Sequence, residues 1–561
     1  MKQLIECVPN FSEGHDLDII KQITNEIQSI PNVKLLDVDP GKATNRTVVT
    51  FVGEPEQVVM AAFKAIKKAA ELIDMSKHKG EHPRMGATDV CPLIPIANIS
   101  MEETVKWAHK LGEMVGKNLD FPIFMYESAA TRPERTNLAD VRAGEYEGLS
   151  EKLKLPLWKP DYGTAKFNPR SGATIIGARD FLVAYNVNLN TTSEKRANSV
   201  AFDVREQGRF KRVGGGVNGE IEKDDKGNPI RVPGTCKAVK GIGWFIPEYG
   251  VAQVSMNLTN INITPLHVAF EECCKSADRR GMRVTGSELV GLVPKKVMTD
   301  AGKYFLQKQK RSIGVSDEQL IAIAIKSLGL DELTPFDPKK KIIEYCMEDA
   351  NASSLINMNL RKFANETSSE SPAPGGGSVS AYVAALGASL GTMVANLSTV
   401  KSGWEDKWEY FSDWAHVGQE IKEKLLVLVD EDTLAYNEIL SAFRLPKGND
   451  TEKKNRQKAI QEATKTAIIV PLQVMKVSHT CFDLLEAMVK EGNPNSISDA
   501  GVGALCVYTA IKGAYMNVRI NLKGFKDAEF MENILKEADA IFHDTTIRAQ
   551  KIENDVLASM K

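Results

Sequence analysis

The spacing of apolar residues separates the first 330 positions from the rest. Leu4 to Pro9, Lys34 to Val38, Arg46 to Gly53, Val90 to Ile96 and Pro122 to Glu127 carry the alternating or continuous apolar runs of strands. Asp16 to Ser29, Pro55 to Asp74 and Met101 to Lys117 carry the three- and four-residue spacing of helices. The first six of these elements give a β-α-β-β-α-β order, followed by a further helix and strand. Pro55 suits the first turn of its helix, where no backbone N–H is needed. From Ala129 to Gly172 the pattern breaks into a long loop, a kind of segment that often carries function.

The order recurs after Arg179: strand Phe181 to Leu189, helix Ser193 to Arg205, strands Cys236 to Ile246 and Val251 to Leu258, helix Pro265 to Arg280, strand Met282 to Val293. Gly214 to Gly219 reads as a hairpin turn. The architecture repeats although the sequence does not, and two such sandwiches side by side leave a cleft suited to a small molecule.

Residues 330–340, with Pro335, Pro338 and two lysines, read as an exposed linker. Nearly everything beyond is helical: Lys341 to Asn351, Ser378 to Leu397, Trp414 to Phe443, Lys453 to Ser478 with an interruption at Pro471, Asp499 to Leu522, and Ala528 to Ser559. The expected fold is multidomain: two α/β sandwich subdomains, residues 1–179 and 180–329, then the linker, then an all-α helical bundle over 341–561. Gly375 to Leu397 is free of charge and long enough to span a bilayer, and Gly387 with Gly391 forms a GxxxG. Its wealth of Gly, Ala and Ser, beside charged amphipathic helices, places it at the centre of the bundle instead.

Composition narrows the partners. The chain has 561 residues, 71 basic and 73 acidic, so it carries no global field for nucleic acid or an anionic membrane. Its eight cysteines are scattered without a Cys-x-x-Cys, which suggests neither a disulfide framework nor a thiolate zinc site and fits a reducing cytoplasm. Met1 to Glu6 runs directly into strand-like sequence without the apolar core of a signal peptide.

Candidate chemistry concentrates in two places. The stretch His78 to Asp89 gathers two histidines, four other charged side chains and two glycines between a helix and a strand. An imidazole both gives and takes a proton near neutrality. His82 is the main candidate and His78 its rival, and a polar surface turn is the plain alternative. In the helical part Asp432 falls on a stripe with Leu425, Leu428, Val429, Tyr436, Ile439 and Phe443, so it points inward. Burial raises a carboxyl pKa toward the range of a general acid or base. The alternative is an ion pair with Arg444 or Arg519. Gly375 to Gly377 lacks the Lys-Ser or Lys-Thr of a phosphate loop but leaves room for a planar ring at a helix start. No His-Glu-x-x-His supports a zinc hydrolase.

These residues also match a family. Glu6-Cys7-Val8-Pro9-Asn10-Phe11-Ser12-Glu13-Gly14, Asp37-Val38-Asp39, Asn45-Arg46-Thr47, Gly80-Glu81-His82-Pro83-Arg84-Met85-Gly86 and Phe167-Asn168-Pro169-Arg170-Ser171-Gly172-Ala173-Thr174 with Gly177-Ala178-Arg179 resemble glutamate formiminotransferases. Ala373-Pro374-Gly375-Gly376-Gly377-Ser378-Val379, Val429-Asp430-Glu431-Asp432 and Arg444-Leu445-Pro446-Lys447 resemble the cyclodeaminases. Together they resemble the bifunctional formiminotransferase-cyclodeaminase family over nearly the whole chain.

The resemblance implies a folate enzyme of histidine breakdown. N-formimino-L-glutamate gives its formimino group to tetrahydrofolate, and the 5-formiminotetrahydrofolate closes to 5,10-methenyltetrahydrofolate with release of ammonia. It assigns the first step to His82 and the second to Asp432. Folate contacts are expected from Gly163, Thr164, Ala165, Lys166, Phe167, Asn168, Pro169, Arg170, Ser171 and Gly172. On chemical grounds Asp39 or Asp89 would orient the imidazole, and Arg46, Arg84 or Arg170 would hold substrate carboxylates. No metal is called for. The resemblance further implies a polyglutamylated folate and a homo-oligomer, an octamer. The basic side chains Arg205, Arg209, Lys211 and Arg212 are candidates to hold the tail, with a solvated turn as the plain alternative, and the charge balance and bundle pattern above give no nucleic-acid partner and no membrane span. Two other readings compete: a formyl-transferring enzyme joined to a methenyltetrahydrofolate cyclohydrolase, and a transferase whose helical half only assembles subunits.

Overall fold

The computed structural model describes residues 3–41, 45–79, 83–213, 219–347 and 354–560. The chain folds as two compact units, Met1–Ala301 with Ile325–Glu348, and Gly302–Ala324 with Asp349–Lys561. The packing thus divides the chain differently from the single linker at 330–340: residues 302–324 belong to the helical unit and 325–348 to the α/β unit.

The first sheet contains β1 (Leu4–Cys7), β2 (Asn10–Phe11), β3 (Val33–Gly41), β4 (Arg46–Gly53), β5 (Thr88–Ala97), β6 (Ile123–Glu127) and β7 (Thr174–Ala178). Strands β3, β4, β1 and β5 pair antiparallel in that order. Strand β7, left unassigned by the sequence pattern, lies parallel to both β5 and β6. Helices α1 (Leu17–Gln28), α2 (Pro55–Leu72) and α3 (Met101–Leu119) cover one face. Ile5, Cys7, Val49, Phe51, Cys91 and Leu93 meet them there, with Ile23, Ala62 and Leu111 among the buried helix residues. Cross-strand partners share a face, so Glu6 with Val52, and Asp37 and Asp39 with Thr50 and Val48, lie on the other one.

The expected loop over 129–172 contains two short helices, α4 (Leu138–Arg142) and α5 (Glu145–Lys152). Their Val141 and Leu149 pack on Val90, Phe124, Tyr126 and Ile175. This covers the β5-β7-β6 end of the face and leaves the β1-β3-β4 end, where Glu6 and Val52 are buried, to the second subdomain.

The second subdomain repeats the order with β8 (Val183–Leu189), α6 (Glu194–Val204), the short ribbon β9 (Arg209–Phe210) and β10 (Arg231–Val232), β11 (Val239–Ile246), β12 (Val251–Leu258), α7 (Leu266–Asp278) and β13 (Val284–Val290). Its sheet runs β11-β12-β8-β13, entirely antiparallel. The expected turn at 214–219 lies almost wholly outside the described residues. A cavity of about 560 Å³ opens between the sheets, lined by Glu6, Asp37 and Thr50 on one side and Ala184 and Val290 on the other, with Arg179 and Lys340.

Helices α8 (Lys295–Lys308) and α9 (Asp317–Leu328), which the periodicity leaves unassigned, precede the short α10 (Pro338–Lys341), α11 (Ile343–Met347) and α12 (Leu360–Thr367). The helical unit is built on α13 (Gly376–Thr399), α14 (Trp408–Arg444), α15 (Asp450–His479), α16 (Cys481–Glu491), α17 (Ile497–Asn521) and α18 (Ala528–Ser559). Helix α13 is central and packs most heavily on α14 and α17. Gly387 permits the closest approach, since a Cβ there would stand 2.8 Å from the Gly503 carbonyl oxygen. The buried hydroxyls of Thr392 and Ser398 donate to carbonyls one turn back, at 2.8 and 2.7 Å, so their burial leaves no donor unmet. Among the described residues two stretches, α13 and 450–491, are long and apolar enough to cross a membrane, but 61% of each apolar window is buried inside the fold.

The interruption expected at Pro471 does not occur; α15 runs through it. A proline deprives the carbonyl four residues earlier of its helical partner. Asn521 Nδ2, from α17, donates to that Ala467 carbonyl at 2.7 Å and supplies the missing bond.

Candidate functional site

In the α/β unit His82 lies outside the described residues, together with Gly80 and Glu81. The chain on both sides of it is closely held. Before it, Met75 N donates to the Arg170 carbonyl at 2.9 Å and Asn45 Nδ2 to the Lys79 carbonyl at 2.8 Å. After it, the Arg84 and Met85 carbonyls accept from Tyr146 N and Ala173 N, and the Gly86 carbonyl accepts from Ser12 Oγ at 2.7 Å. Gly86 and Gly172 form an isolated bridge that sets the two loops edge to edge.

Arg84 is buried, and its guanidinium forms a two-pronged pair with Glu147, at 2.9 and 2.7 Å, while reaching Glu145 at 3.1 Å. Hydrogen bonding to Arg84 holds the Glu147 carboxyl below its usual pKa. The same guanidinium donates from Nε to His78 Nδ1 at 3.3 Å. Because arginine only donates, the His78 ring proton sits on Nε2 and faces the Asn45 carbonyl at 2.9 Å. Both nitrogens of His78 are therefore occupied, which makes it a strut of this loop. Arg84 likewise has its fork filled by the protein's own carboxylates.

The other expected helpers sit as follows. Asp89 is fully buried; Oδ1 accepts from Met85 N at 3.0 Å, and Oδ2 pairs with Arg142. Arg46 is half-buried and donates to Asn10 Oδ1, and burial lowers its pKa, opposed by Asp89. Asp39 is exposed at the open end of the sheet face that also bears Glu6 and Asp37. Arg170 donates to the Glu71 carbonyl at 2.6 Å.

The expected folate stretch is brought to the His82 flank only by its later half. Phe167 packs on Tyr146 with ring centroids 5.6 Å apart, and Asn168 Oδ1 accepts from the backbone of Arg170 and Ser171. Ser171 and Gly172 are buried against residues 85–87, while Pro169 is exposed and its carbonyl accepts from Tyr146 Oη. Gly163 and Thr164 instead line a hollow of about 410 Å³ at the end of α3. Ala165 and Lys166 are exposed between them.

Two groups escape the sequence reading. Glu6 is buried with no hydrogen-bond donor to its carboxyl among the described residues, and desolvation pushes its pKa up to about 7 against the pull of Arg179. Arg179 stands beside it at the inter-sheet cavity and also lines a second hollow of about 560 Å³ with Glu127, Arg142 and Lys240. Both belong to quoted motifs, but period-two alternation alone would have marked Glu6 as facing away from the helices. The basic cluster is internally committed: Arg209 pairs with Asp203, Lys211 with Glu222 at 2.8 Å, and Arg205 and Arg212 donate to the Gly241 and Gly219 carbonyls.

In the helical unit Asp432 is half-buried on α14. The stripe proposed from sequence holds for Leu425, Leu428, Val429 and the partly buried Ile439, but Tyr436 is 39% and Phe443 52% exposed, and the smaller Ala435 and Ala442 are the buried residues of these later turns. Asp432 pairs with neither expected arginine. Oδ2 accepts from Ser378 N at 2.8 Å and from Ser378 Oγ at 2.9 Å, in the first turn of α13. Arg519 donates to Tyr515 Oη instead. Burial raises the Asp432 pKa, and the two bonds from Ser378 pull it back. A Cβ on Gly377 would stand 2.1 Å from Oδ1, so only glycine leaves that oxygen room. Asn517, on α17, flanks the neighbouring Gly376. The arrangement can hold and move one proton beside a surface of bare backbone.

Comparison with known proteins agrees in both units. Residues 4–179 match the formiminotransferase domain, N-terminal subdomain; 184–348 match the formiminotransferase domain; and 359–540 match formiminotransferase-cyclodeaminase. The formimidoyltransferase-cyclodeaminase of Dictyostelium discoideum is 45% identical over 98% of this chain and 98% of its own length. The glutamate formimidoyltransferase of Streptococcus pyogenes serotype M1 is 42% identical over 55% of this chain and 94% of that protein. The methenyltetrahydrofolate cyclohydrolase of Methylorubrum extorquens is 34% identical over 36% of this chain and 96% of that protein.

Proposed function

The chain belongs to the formimidoyltransferase-cyclodeaminase family, and from that premise we propose how its two units divide the work on one carbon. It is a bifunctional folate enzyme of histidine degradation, carrying glutamate formimidoyltransferase and formimidoyltetrahydrofolate cyclodeaminase activities.

In the transfer step, N5 of tetrahydrofolate attacks the formimino carbon of N-formimino-L-glutamate. His82 takes the N5 proton and returns it to the departing glutamate nitrogen. The observation that supports this assignment is that the described chain before and after residues 80–82 is bonded to the loop ending at Gly172, through Met75 to Arg170, Ala87 to Ser171 and the Gly86–Gly172 bridge. Asp89 acts at one remove, by anchoring Met85. Arg179 and Lys340 in the inter-sheet cavity are placed to meet the substrate's carboxylates, a role for which Arg84 is already engaged.

In the second step, N10 attacks the same carbon and ammonia leaves. Asp432 accepts the N10 proton and delivers it to the leaving nitrogen. A polyglutamate tail on the folate would keep the intermediate near the protein between the two steps, raising its effective concentration. Lys166, exposed in the folate loop, is better placed for that tail than the internally paired Arg205 to Arg212 cluster. Exposed apolar residues on α13 (Leu386, Met393, Leu397) and α17 (Val502, Leu505) support assembly of several copies, with an octamer as the proposed state. Eight free thiols fit a cytoplasmic setting.

The cyclohydrolase relative gives the alternative second reaction a specific observation in its favour. One assay separates the readings: formiminoglutamate and tetrahydrofolate are mixed with the enzyme, and methenyl-folate absorbance and ammonia are followed together. One ammonia per methenyl-folate is expected. Turnover of formylglutamate without ammonia would instead establish the formyl-transferring enzyme.

A further inference from the structure

Resting on the assignment of Asp432 as the proton carrier of ring closure, we propose that Ser378 is its positioning residue, fixing Oδ2 so that Oδ1 alone moves the proton.

A carboxylate oxygen offers two lone-pair directions, and Ser378 fills both on Oδ2, one with its backbone N–H at 2.8 Å and one with its hydroxyl at 2.9 Å. Ser378 is fully buried in the first turn of α13, so neither donor is diverted to water. Thr433 Oγ1 lies 3.4 Å from Ser378 Oγ, within reach to donate to it and direct the serine hydroxyl onto Asp432. Oδ1 lies against the bare Cα of Gly377, where any side chain would overlap the carboxyl group itself, so the glycine lets the carboxyl sit in this orientation.

The proton balance follows from this geometry. The formimino group enters protonated, as an amidinium; as the N10–C bond forms, its C=N electron pair moves onto nitrogen and the N10 proton passes to Oδ1. It then passes from Oδ1 to the amino nitrogen of the tetrahedral carbon, the C–N bond breaks toward nitrogen, and ammonia departs. The carboxylate ends the cycle ionised, as it began, while the remaining N5 and N10 share the methenyl charge. Throughout, Ser378 exchanges no proton. It holds the carboxyl plane, which would otherwise turn about its terminal torsion and offer either oxygen.

The test compares Ser378→Ala and Ser378→Thr in the full-length enzyme, supplied with 5-formiminotetrahydrofolate and followed by methenyl-folate absorbance across pH. Removing a hydrogen bond to the ionised form raises a carboxyl pKa. The acid limb of kcat for Ser378→Ala is therefore expected to move up by about one pH unit, with kcat falling roughly tenfold. Ser378→Thr, which keeps the hydroxyl, is expected to restore the limb. An unmoved limb in Ser378→Ala, or equal rate losses in both variants with no shift, would overturn the proposal. Asp432→Asn is the control: if it still cyclises at the wild-type rate, the underlying assignment of Asp432 fails, a result distinct from failure at Ser378. Far-ultraviolet circular dichroism and the thermal transition of the same samples report that the helical unit has folded.

Discussion

The two regions assigned to proton transfer are built on opposite principles. The described residues on either side of 80–82 are positioned by many long-range partners: Ser12, Asn45, Tyr146, Arg170 and Ala173 all bond to these flanks. Around Asp432 two long helices meet, and one serine holds the carboxyl. The contrast suits the chemistry. Formimino transfer brings together two separate molecules, one with carboxylates to be located, so its surroundings are rich in charge. Ring closure is intramolecular, with the reacting atoms already joined, and one proton carrier on a rigid frame suffices.

The sharpest way to break that comparison is to silence each region alone. His82→Ala is expected to reduce formimino transfer at least about a thousandfold while sparing closure of supplied 5-formiminotetrahydrofolate, and Asp432→Ala to do the reverse. Separate assays of the two steps decide it. Simultaneous loss of both activities in Asp432→Ala, accompanied by dissociation of the assembly, would make the helical unit a scaffold.

A smaller effect probes how the loop is held. Arg142→Met leaves the fully buried Asp89 charge without its cation. Such a break costs roughly 3 to 5 kcal/mol, and calorimetry of the α/β unit should show it. The corresponding loss has no counterpart in the helical unit, where Asp432 depends on hydrogen bonds alone. An unchanged transition would mean that the Arg142 pair contributes nothing net to the fold, with Arg46 meeting Asp89 in its place.

How much of each region could be read from sequence differs for the same reason. Helix α18 spans Ala528–Ser559 and β4 Arg46–Gly53, both as the periodicity predicts, because a single stripe or alternation decides them. Asp432 was legible because it sits next to Leu428 and Val429 on such a stripe. Ser378 was not, since it lies 54 residues away and only the packing of α13 on α14 joins them. Asp89 and Arg142 are likewise 53 residues apart. Pro471 misled because its cost is removed by Asn521, a partner on another helix. Strand β7 escaped because five buried residues between parallel neighbours carry no alternation.

Glu6 sharpens the comparison through pH. Its pKa rises from 4.5 to about 7 because burial disfavours its charge. The folded state thus binds a proton that the unfolded chain releases, so its contribution is complete below pH 4.5 and is lost as pH rises through 7. Glu6→Gln should flatten the fall in stability of the α/β unit across that window by about 3 kcal/mol. Calorimetry at pH 5 and pH 8 would measure it. A slope as steep as the wild type's would place the titrating group elsewhere.

The smallest predicted effect concerns Arg84, and it separates charge from shape. Its fork holds Glu147 by two prongs, touches Glu145, and sets the His78 ring through Nε. Lysine keeps the charge but offers a single point of donation, so Arg84→Lys should retain the pairing while releasing His78. With His78 free to turn, the Asn45 carbonyl loses its donor and the entry to residues 80–82 loosens on one side. Because Met85 remains bonded to Asp89 and Ala173 on the other side, the loop should shift without collapsing. Formimino transfer is then expected to fall about tenfold, equivalent to ~1.4 kcal/mol, with ring closure unchanged. Wild-type transfer by this variant would show that the loop's position rests on its backbone bonds alone, which would make the His82 region nearly as sparingly held as that of Asp432.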